Sequence, residues 1–213
     1  MPKGRTEEIM TNNKGSLIVI SGPAGTGKGT IVKLLLQDPD YAVSISTTTR
    51  APRADDIPGV TYNFATTDEF MEMIKNGELA EFAEYVGNYY GTSIKTIKEL
   101  QETGKNVILE IETLGALQIK ARFPEAILIW ISPPDYETLD ERLRGRGTNT
   151  DEDIAKRLAA AKREMQFLPY YNYIVINEKG KADEAAEDIK RIVSVNPMRI
   201  KHNPDFVQTF YKH

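Results

Sequence analysis

The run Gly22-Pro-Ala-Gly-Thr-Gly-Lys28-Gly29, placed directly after the apolar stretch Leu17-Ile-Val-Ile20, limits the fold more than any other part of the chain. An apolar strand, a glycine-rich turn and a helix, predicted here over Ile31-Val-Lys-Leu-Leu-Leu36, build a concave cradle of backbone N–H groups. The helix N-terminus adds partial positive charge and Lys28 a full one, so the assembly suits a nucleotide polyphosphate. The commoner pattern places Ser or Thr straight after the lysine to hold Mg²⁺. Here Gly29 stands in that place and Thr30 follows, so Thr30 or water must serve the metal. The alternative is a glycine turn that merely connects strand to helix, a reading that gives Lys28 no task.

Further along, short runs that are apolar on consecutive positions recur at Val107–Ile111, Ile127–Ile131 and Tyr173–Ile176, with a weaker one at Val43–Ser46. Consecutive rather than alternating apolar residues mark strands covered on both faces, as in parallel sheets. Helical patterns separate them at Thr67–Asn76, Ser93–Thr103, Pro134–Leu143 and Asp151–Phe167. This alternation predicts a doubly wound α/β sheet with helices on both faces. Two stretches break the rhythm: 47–92, rich in Thr, Tyr, Arg and acids, and 139–168, charged around Gly145-Arg-Gly147. Each is expected to be an insertion at the carboxyl edge of the sheet, where ligands bind.

Composition removes several chemistries. With no cysteine there are no disulfides, no thiolate catalysis and no cysteine-ligated metal, which is compatible with a reducing cytosol. The two histidines, His202 and His213, both lie in the C-terminal tail, which argues against a histidine triad or a two-histidine metal site. A net charge of −4 advertises no nucleic-acid partner, and no apolar run reaches membrane-spanning length. The expectation is a cytoplasmic protein acting on small molecules, as a monomer or homodimer.

Several clusters could bind anions or bases. Ser46-Thr-Thr-Thr-Arg50-Ala-Pro-Arg53 gathers hydroxyls and two arginines that suit phosphate oxygens, although loop arginines taken alone are ordinarily solvated. Asn88-Tyr89-Tyr90-Gly-Thr-Ser93 supplies further donors, with Glu81 nine residues before Tyr90. A carboxylate can accept from both N–H groups on one edge of guanine, an edge adenine does not present. On pattern alone Glu81 and Glu84 read as exposed strand-face charges. Val107-Ile-Leu-Glu110-Ile-Glu112 is a strand ending in acids that could organise Mg²⁺ and its waters. Arg142, Arg144, Arg146 and Arg157 concentrate positive charge in the second insertion. A solvated helix face is the plain reading of that pattern.

Taken together, these segments resemble the guanylate kinases, from Gly15 to about Ile192. The likeness rests on GPAGTGKG at 22–29, STTTRAPR at 46–53, TYNF at 61–64, EFAEYVGNYYGTS at 81–93, ILEIETLGA at 108–116 and ERLRGRGT at 141–148. The resemblance implies transfer of the γ-phosphoryl group of Mg·ATP to GMP, and to dGMP. It implies that Gly22, Pro23, Ala24, Gly25, Thr26, Gly27, Lys28 and Gly29 wrap the ATP phosphates, with Thr30 beside them and Asn177 near adenine. Ser46, Glu81 and Thr92 would read guanine; Arg50, Arg53, Tyr62 and Tyr90 would grip the GMP phosphate. Glu110 and Glu112 would stand at the metal-organising acids, often aspartates in the family, with Glu110 also at the substrate. Arg142, Arg146 and Arg157 would be lid arginines, catalytic together with Lys28 and Arg50.

The implied layout is a phosphate-loop core from 14–46, 93–138 and 169–196, a GMP-binding subdomain over 47–92, a lid over 139–168 and a tail over 197–213. Two other readings stay open at this point. One is a protein-binding module on the same scaffold, which would generally have lost the working loop. The other is another nucleoside monophosphate kinase such as adenylate kinase, suggested by Gly-Lys-Gly-Thr and opposed by the stretch from Glu81 to Thr92.

Overall fold

The computed structural model describes residues 14–85, 87–145 and 150–199. Its centre is strand β1 (Leu17–Ser21), buried at every position. The first helix, α1 (Lys28–Leu35), follows the glycine run, and the chain then places β2 (Tyr41–Val43) on one side of β1. Three strands of the later chain complete the large sheet: β7 (Asn106–Glu110), β8 (Ile127–Ser132) and β9 (Tyr173–Ile176). The order is β2-β7-β1-β8-β9, every pairing parallel. The chain fills one side of β1 with β2 and β7 and then crosses to the other with β8. The carboxyl end of β1 is therefore a topological switch point, where a crevice opens.

Both faces of this sheet are covered, as the unbroken apolar runs require. On one face Ile18, Ile20, Ile129 and Ile131 pack with Ile31 and Leu35 of α1 and with Ala185, Ile189 and Val193 of α7 (Ala182–Val195). On the other, Leu17, Val19, Leu109 and Leu128 meet Ile97 of α3 (Ile94–Glu102) and Ala116 and Ile119 of α4 (Thr113–Arg122). Each fully buried aliphatic side chain contributes about 1.5–3 kcal/mol.

Between β2 and α3 the chain builds a smaller sheet from β3 (Thr47–Thr48), β4 (Asn63–Phe64), β5 (Leu79–Tyr85) and β6 (Asn88–Ser93), in the order β4-β3-β6-β5. Helix α2 (Thr67–Lys75) belongs to this part, burying Phe70, whose ring stacks on Tyr89 at 5.7 Å. Its N-cap is Thr66, one residue before the expected start, because Thr66 and Glu69 close a reciprocal capping box. The small sheet hangs on α4 through polar groups. Gln118 accepts from the Phe82 N–H at 3.1 Å and donates to the Phe82 carbonyl at 2.8 Å, while Arg122 reaches the carbonyls of Leu79 and Gly77.

The third part is α5 (Tyr136–Arg144) with α6 (Asp151–Glu164). Leu139, Leu143, Ile154, Leu158 and Ala161 form an apolar cluster of their own here. Arg144 joins the two helices by ion pairs to Asp140 and Asp151. Among the described residues no helix is long and apolar enough to cross a membrane.

Two sequence expectations need correction. The weak strand at Val43–Ser46 is instead β2, ending at Val43. A turn from Asp38 to Tyr41 starts it early, and pairing with Asn106 to Ile108 of β7 sets its register. The helix expected over Asp151–Phe167 is α-helical only to Glu164 and then tightens into a 3₁₀ segment, Met165–Tyr170, containing Pro169, which has no N–H to continue the ladder.

Because α7 itself carries none of the candidate functional groups, stability and chemistry should separate there. Ile189→Ala is expected to lower unfolding free energy by about 2–5 kcal/mol in urea titration. Turnover of the folded variant should stay within about twofold of the parent, since no reacting group is displaced.

Candidate active site

The glycine run follows β1 as an open loop at the switch point, and α1 begins at Lys28. Gly27 is its N-cap, at φ 89°, a left-handed conformation that strains any other L-residue, and the Asn177 side chain packs against its α-carbon. Lys28 Nζ folds over the loop, donating to the carbonyls of Gly22 (2.5 Å) and Pro23 (2.9 Å). Thr26 is buried, and its hydroxyl donates to the Pro23 carbonyl. Asn177, just past β9 and also buried, donates to the Thr26 carbonyl at 2.8 Å. Arg142 of α5 spans the two, donating to the carbonyls of Asn177 (2.8 Å) and Thr26 (3.5 Å). The loop's carbonyls are thus occupied from behind, and its N–H groups are left to define the cradle.

Three carboxylates border the loop. Glu110 ends β7, and its oxygens lie 3.9 Å from the position a Cβ on Gly29 would take, an ordinary contact distance beside the first turn of α1. Glu112 is the N-cap of α4, its side chain making no capping bond. Glu164, at the C-terminal end of α6, is half-buried. Burial pushes all three carboxyls above their usual range, while the Lys28 ammonium opposes the shift at Glu110 and Glu164. Among the described residues no three acids or histidines converge as a metal cage.

The small sheet carries the second half of the site. Glu81 and Thr92 face each other across the β5–β6 hairpin, and the Thr92 hydroxyl donates to Glu81 at 2.6 Å. Ser46 lies 3.5 Å from that hydroxyl. Glu81 is only 4% exposed, against the sequence expectation of a solvated strand-face charge, whereas Glu84 is exposed. The reason is α4: Gly115 sits so close that a Cβ there would stand 2.7 Å from the Glu81 carboxylate. Burial, chiefly, pushes the Glu81 carboxyl up to about 7, with nearby Glu112 adding and the Thr92 hydroxyl opposing.

A cationic and phenolic cluster lies on the same sheet. Arg50 stands 5.4 Å from the Tyr62 ring centroid, and Tyr62 meets Tyr90 edge to face at 5.9 Å. Arg50 also pairs with Asp56 at 2.9 Å, and Asp56 accepts from the Arg53 backbone N–H at 2.7 Å.

With a glycine loop and its lysine at the switch point and a buried carboxylate on an inserted sheet, the chain is similar to known proteins of one family. The family model described as guanylate kinase matches residues 14–196. The chain belongs to the guanylate kinase family. It is 45% identical over 188 residues to the guanylate kinase of Lactococcus lactis subsp. lactis (strain IL1403), covering 88% of this chain and 91% of that one. Identity to the guanylate kinase of Streptococcus pyogenes serotype M3 is 43% over 192 residues, 89% and 90% of the two chains. The crystal structure of guanylate kinase from Anaplasma phagocytophilum superposes with a TM-score of 0.69 at 29% identity, covering 87% and 88%.

Set against the guanylate kinase pattern, the structure brings Lys28 and Glu110 together at the loop and Ser46, Glu81 and Thr92 together on the small sheet. Arg50, Tyr62 and Tyr90 form one cluster with Arg53 exposed at its rim. Thr30 is the third residue of α1 and exposed; Arg157 lies half-buried on α6. Arg146 and residues 200–213 lie outside the described residues. Asp56 and Glu164 were not singled out in the sequence. Asp56 left one signal, an acid inside an arginine loop, while Glu164 reads as an ordinary glutamate of a charged helix.

The raised Glu81 pKa has a defined cost. A carboxyl whose folded pKa lies above its unfolded 4.5 stabilises the fold in acid, and that contribution is lost as pH rises from about 4.5 through about 7. Above pH 7 the charged, buried group leaves the protein about 3 kcal/mol less stable than a neutral one would. Glu81→Gln should therefore raise unfolding free energy at pH 8 and flatten its fall between pH 5 and 7. Urea titrations of both proteins across that range check this, and parallel curves would show the carboxyl to be unperturbed.

Proposed function

We propose that the chain carries out the reaction of its family, phosphorylation of GMP, by direct transfer of the γ-phosphoryl group of Mg·ATP, giving ADP and GDP. The observation that carries the base assignment is the buried Glu81 bonded to Thr92 beside Ser46. When ionised, Glu81 accepts from the two N–H groups on one edge of guanine, and the hydroxyls donate to its carbonyl oxygen. Adenine offers that edge neither donor, so AMP leaves a buried carboxylate unpaired, an arrangement sites discriminate against strongly. This argues against adenylate kinase activity. Retention of Lys28 and the loop glycines argues against a purely protein-binding module.

In this reading residues 47–92 form the GMP-binding subdomain and 139–168 the lid, on a core of 14–46, 93–138 and 169–196. Arg50, Arg53, Tyr62 and Tyr90 hold the GMP phosphate. Gly22, Pro23, Ala24, Gly25, Thr26, Gly27 and Gly29 present backbone N–H groups to the ATP phosphates, except at Pro23, which has none and contributes its fixed backbone angle. Asn177 braces the loop beside the adenine. Thr30, Glu110 and Glu112 would hold Mg²⁺, which when bound would supply positive charge against the phosphates. The acceptor is a phosphate oxygen already ionised near neutral pH, so no general base is needed, in keeping with a site assembled without histidine. Lys28 swings from the loop carbonyls onto the β- and γ-phosphates. Arg142, Arg146 and Arg157 supply further charge from the lid, and closure of the lid excludes water from the donor phosphate. A cysteine-free chain suits the reducing cytoplasm, and the small-molecule chemistry needs neither nucleic acid nor membrane.

The test is coupled ADP release with GMP, dGMP, AMP, CMP and UMP in parallel. GMP and dGMP should turn over and the others should not; equal use of AMP would overturn the base assignment. Lys28→Ala is expected to cut kcat by at least about 100-fold, the usual cost of losing a transition-state charge contact. Glu81→Gln should lower kcat/KM for GMP by about 2–4 kcal/mol in activation free energy with KM for ATP near normal.

A further inference from the structure

The arginine loop contains an anion of its own. Asp56 Oδ2 lies 2.9 Å from Arg50 and also accepts from the backbone N–H of Arg53 at 2.7 Å, and the Asp56 N–H donates back to the Arg53 carbonyl at 3.1 Å. Both side chains of the ion pair are largely shielded, 13% and 9% exposed, although the loop around them is open. Arg50 is fixed on other sides as well: its guanidinium donates to the Ala51 carbonyl at 2.8 Å, its backbone N–H to the Thr48 hydroxyl at 3.1 Å, and Tyr62 lies under it.

A carboxylate beside phosphate-binding arginines could act as a competitor that the incoming phosphate expels, or as part of the frame. The geometry favours the frame. The Asp56 carboxylate is held by the Arg53 backbone N–H independently of the guanidinium, and the Asp56 N–H closes the same turn on the Arg53 carbonyl. Leaving would strip the Arg53 N–H of its acceptor as well as breaking the ion pair to Arg50. The Asp56 charge, paired with Arg50 and felt by Arg53, also offsets the repulsion that two cations would have at one phosphate. A long, rotamer-rich arginine held in advance loses less freedom when the ligand arrives.

We propose that Asp56 is a positioning residue of the phosphate subsite, presetting Arg50 and Arg53 for a nucleoside monophosphate and remaining in place when the phosphate binds. This rests on the reading above that Arg50 and Arg53 hold the GMP phosphate. The residue acts through the arginines and touches no reacting atom, so its loss falls on recognition of the phosphate and leaves base recognition alone.

The experiment compares the full-length protein with Asp56→Asn and Arg50→Ala, measuring KM for GMP and ATP, kcat, and the inhibition constant of guanosine, which lacks the phosphate. Asp56→Asn is expected to raise KM for GMP about tenfold, with kcat, KM for ATP and guanosine inhibition within about twofold of the parent. Asp56→Glu should recover part of the loss, and melting temperatures should be unaltered. An unchanged or lowered KM for GMP overturns the proposal, the lowered value marking Asp56 as a competitor. Guanosine inhibition weakening in proportion to GMP also overturns it, since the loop as a whole would then have been disturbed. Arg50→Ala separates the two levels. If it leaves KM for GMP at the parental value, the phosphate-grip reading itself fails. If it raises KM while Asp56→Asn does not, only the role of Asp56 fails.

Discussion

Helix α4 is the member on which the two halves of this protein depend. Its apolar side, Ala116 and Ile119, fills the core under the large sheet, while its polar side holds an edge strand of another sheet. Gln118 meets both backbone groups of Phe82 much as a neighbouring strand would, so β5 gains a partner without gaining a strand. Arg122 adds two carbonyls of the approach to β5, and the first turn of the helix carries Glu112 toward the phosphate loop. One helix thereby links the glycine loop's surroundings to the buried Glu81 carboxylate. A change of register in α4 would disturb both sites together.

The electrostatic design is uneven. Lys28 acts on Glu110 and Glu164, one at the end of β7 and one at the end of α6, so the loop's cation already interacts with both elements. Helix α5 is tied to the loop through Arg142, which shares the Thr26 carbonyl with Asn177. A separate apolar cluster joins α5 and α6, and Arg142 connects that pair to the loop and to the end of β9.

Legibility in the sequence followed the range of the interactions. β1, the loop and α1 could be read because one continuous segment carries strand pattern, turn residues and lysine. The large sheet could be read because strands buried on both faces write unbroken apolar runs. The burial of Glu81 could not, since it depends on Gly115 more than thirty residues later in the chain, and a glutamate on a short strand next to an aromatic pair looks solvated. The tasks of Asn177 and Arg142 behind the loop depend likewise on contacts distant in sequence. Asp56 is the opposite case. Its partners are local, but an aspartate in a polar loop offers no pattern to separate an ion pair from a solvated turn. The 3₁₀ ending of α6 was legible in principle from Pro169, and the capping box of α2 from Thr66 and Glu69.

Glu81 also ties ligand uptake to the proton. Near neutral pH its carboxyl is divided between two protonation states, and only the ionised one can accept two hydrogen bonds from a single base edge. A ligand that makes those bonds must expel the fraction of a proton still held, and that proton passes to the buffer. The heat measured on binding then contains the buffer's own heat of ionisation, larger in an amine buffer than in phosphate. Under the proposed reading of Glu81, its occupancy would in this way be announced to a calorimeter, as a count of released protons.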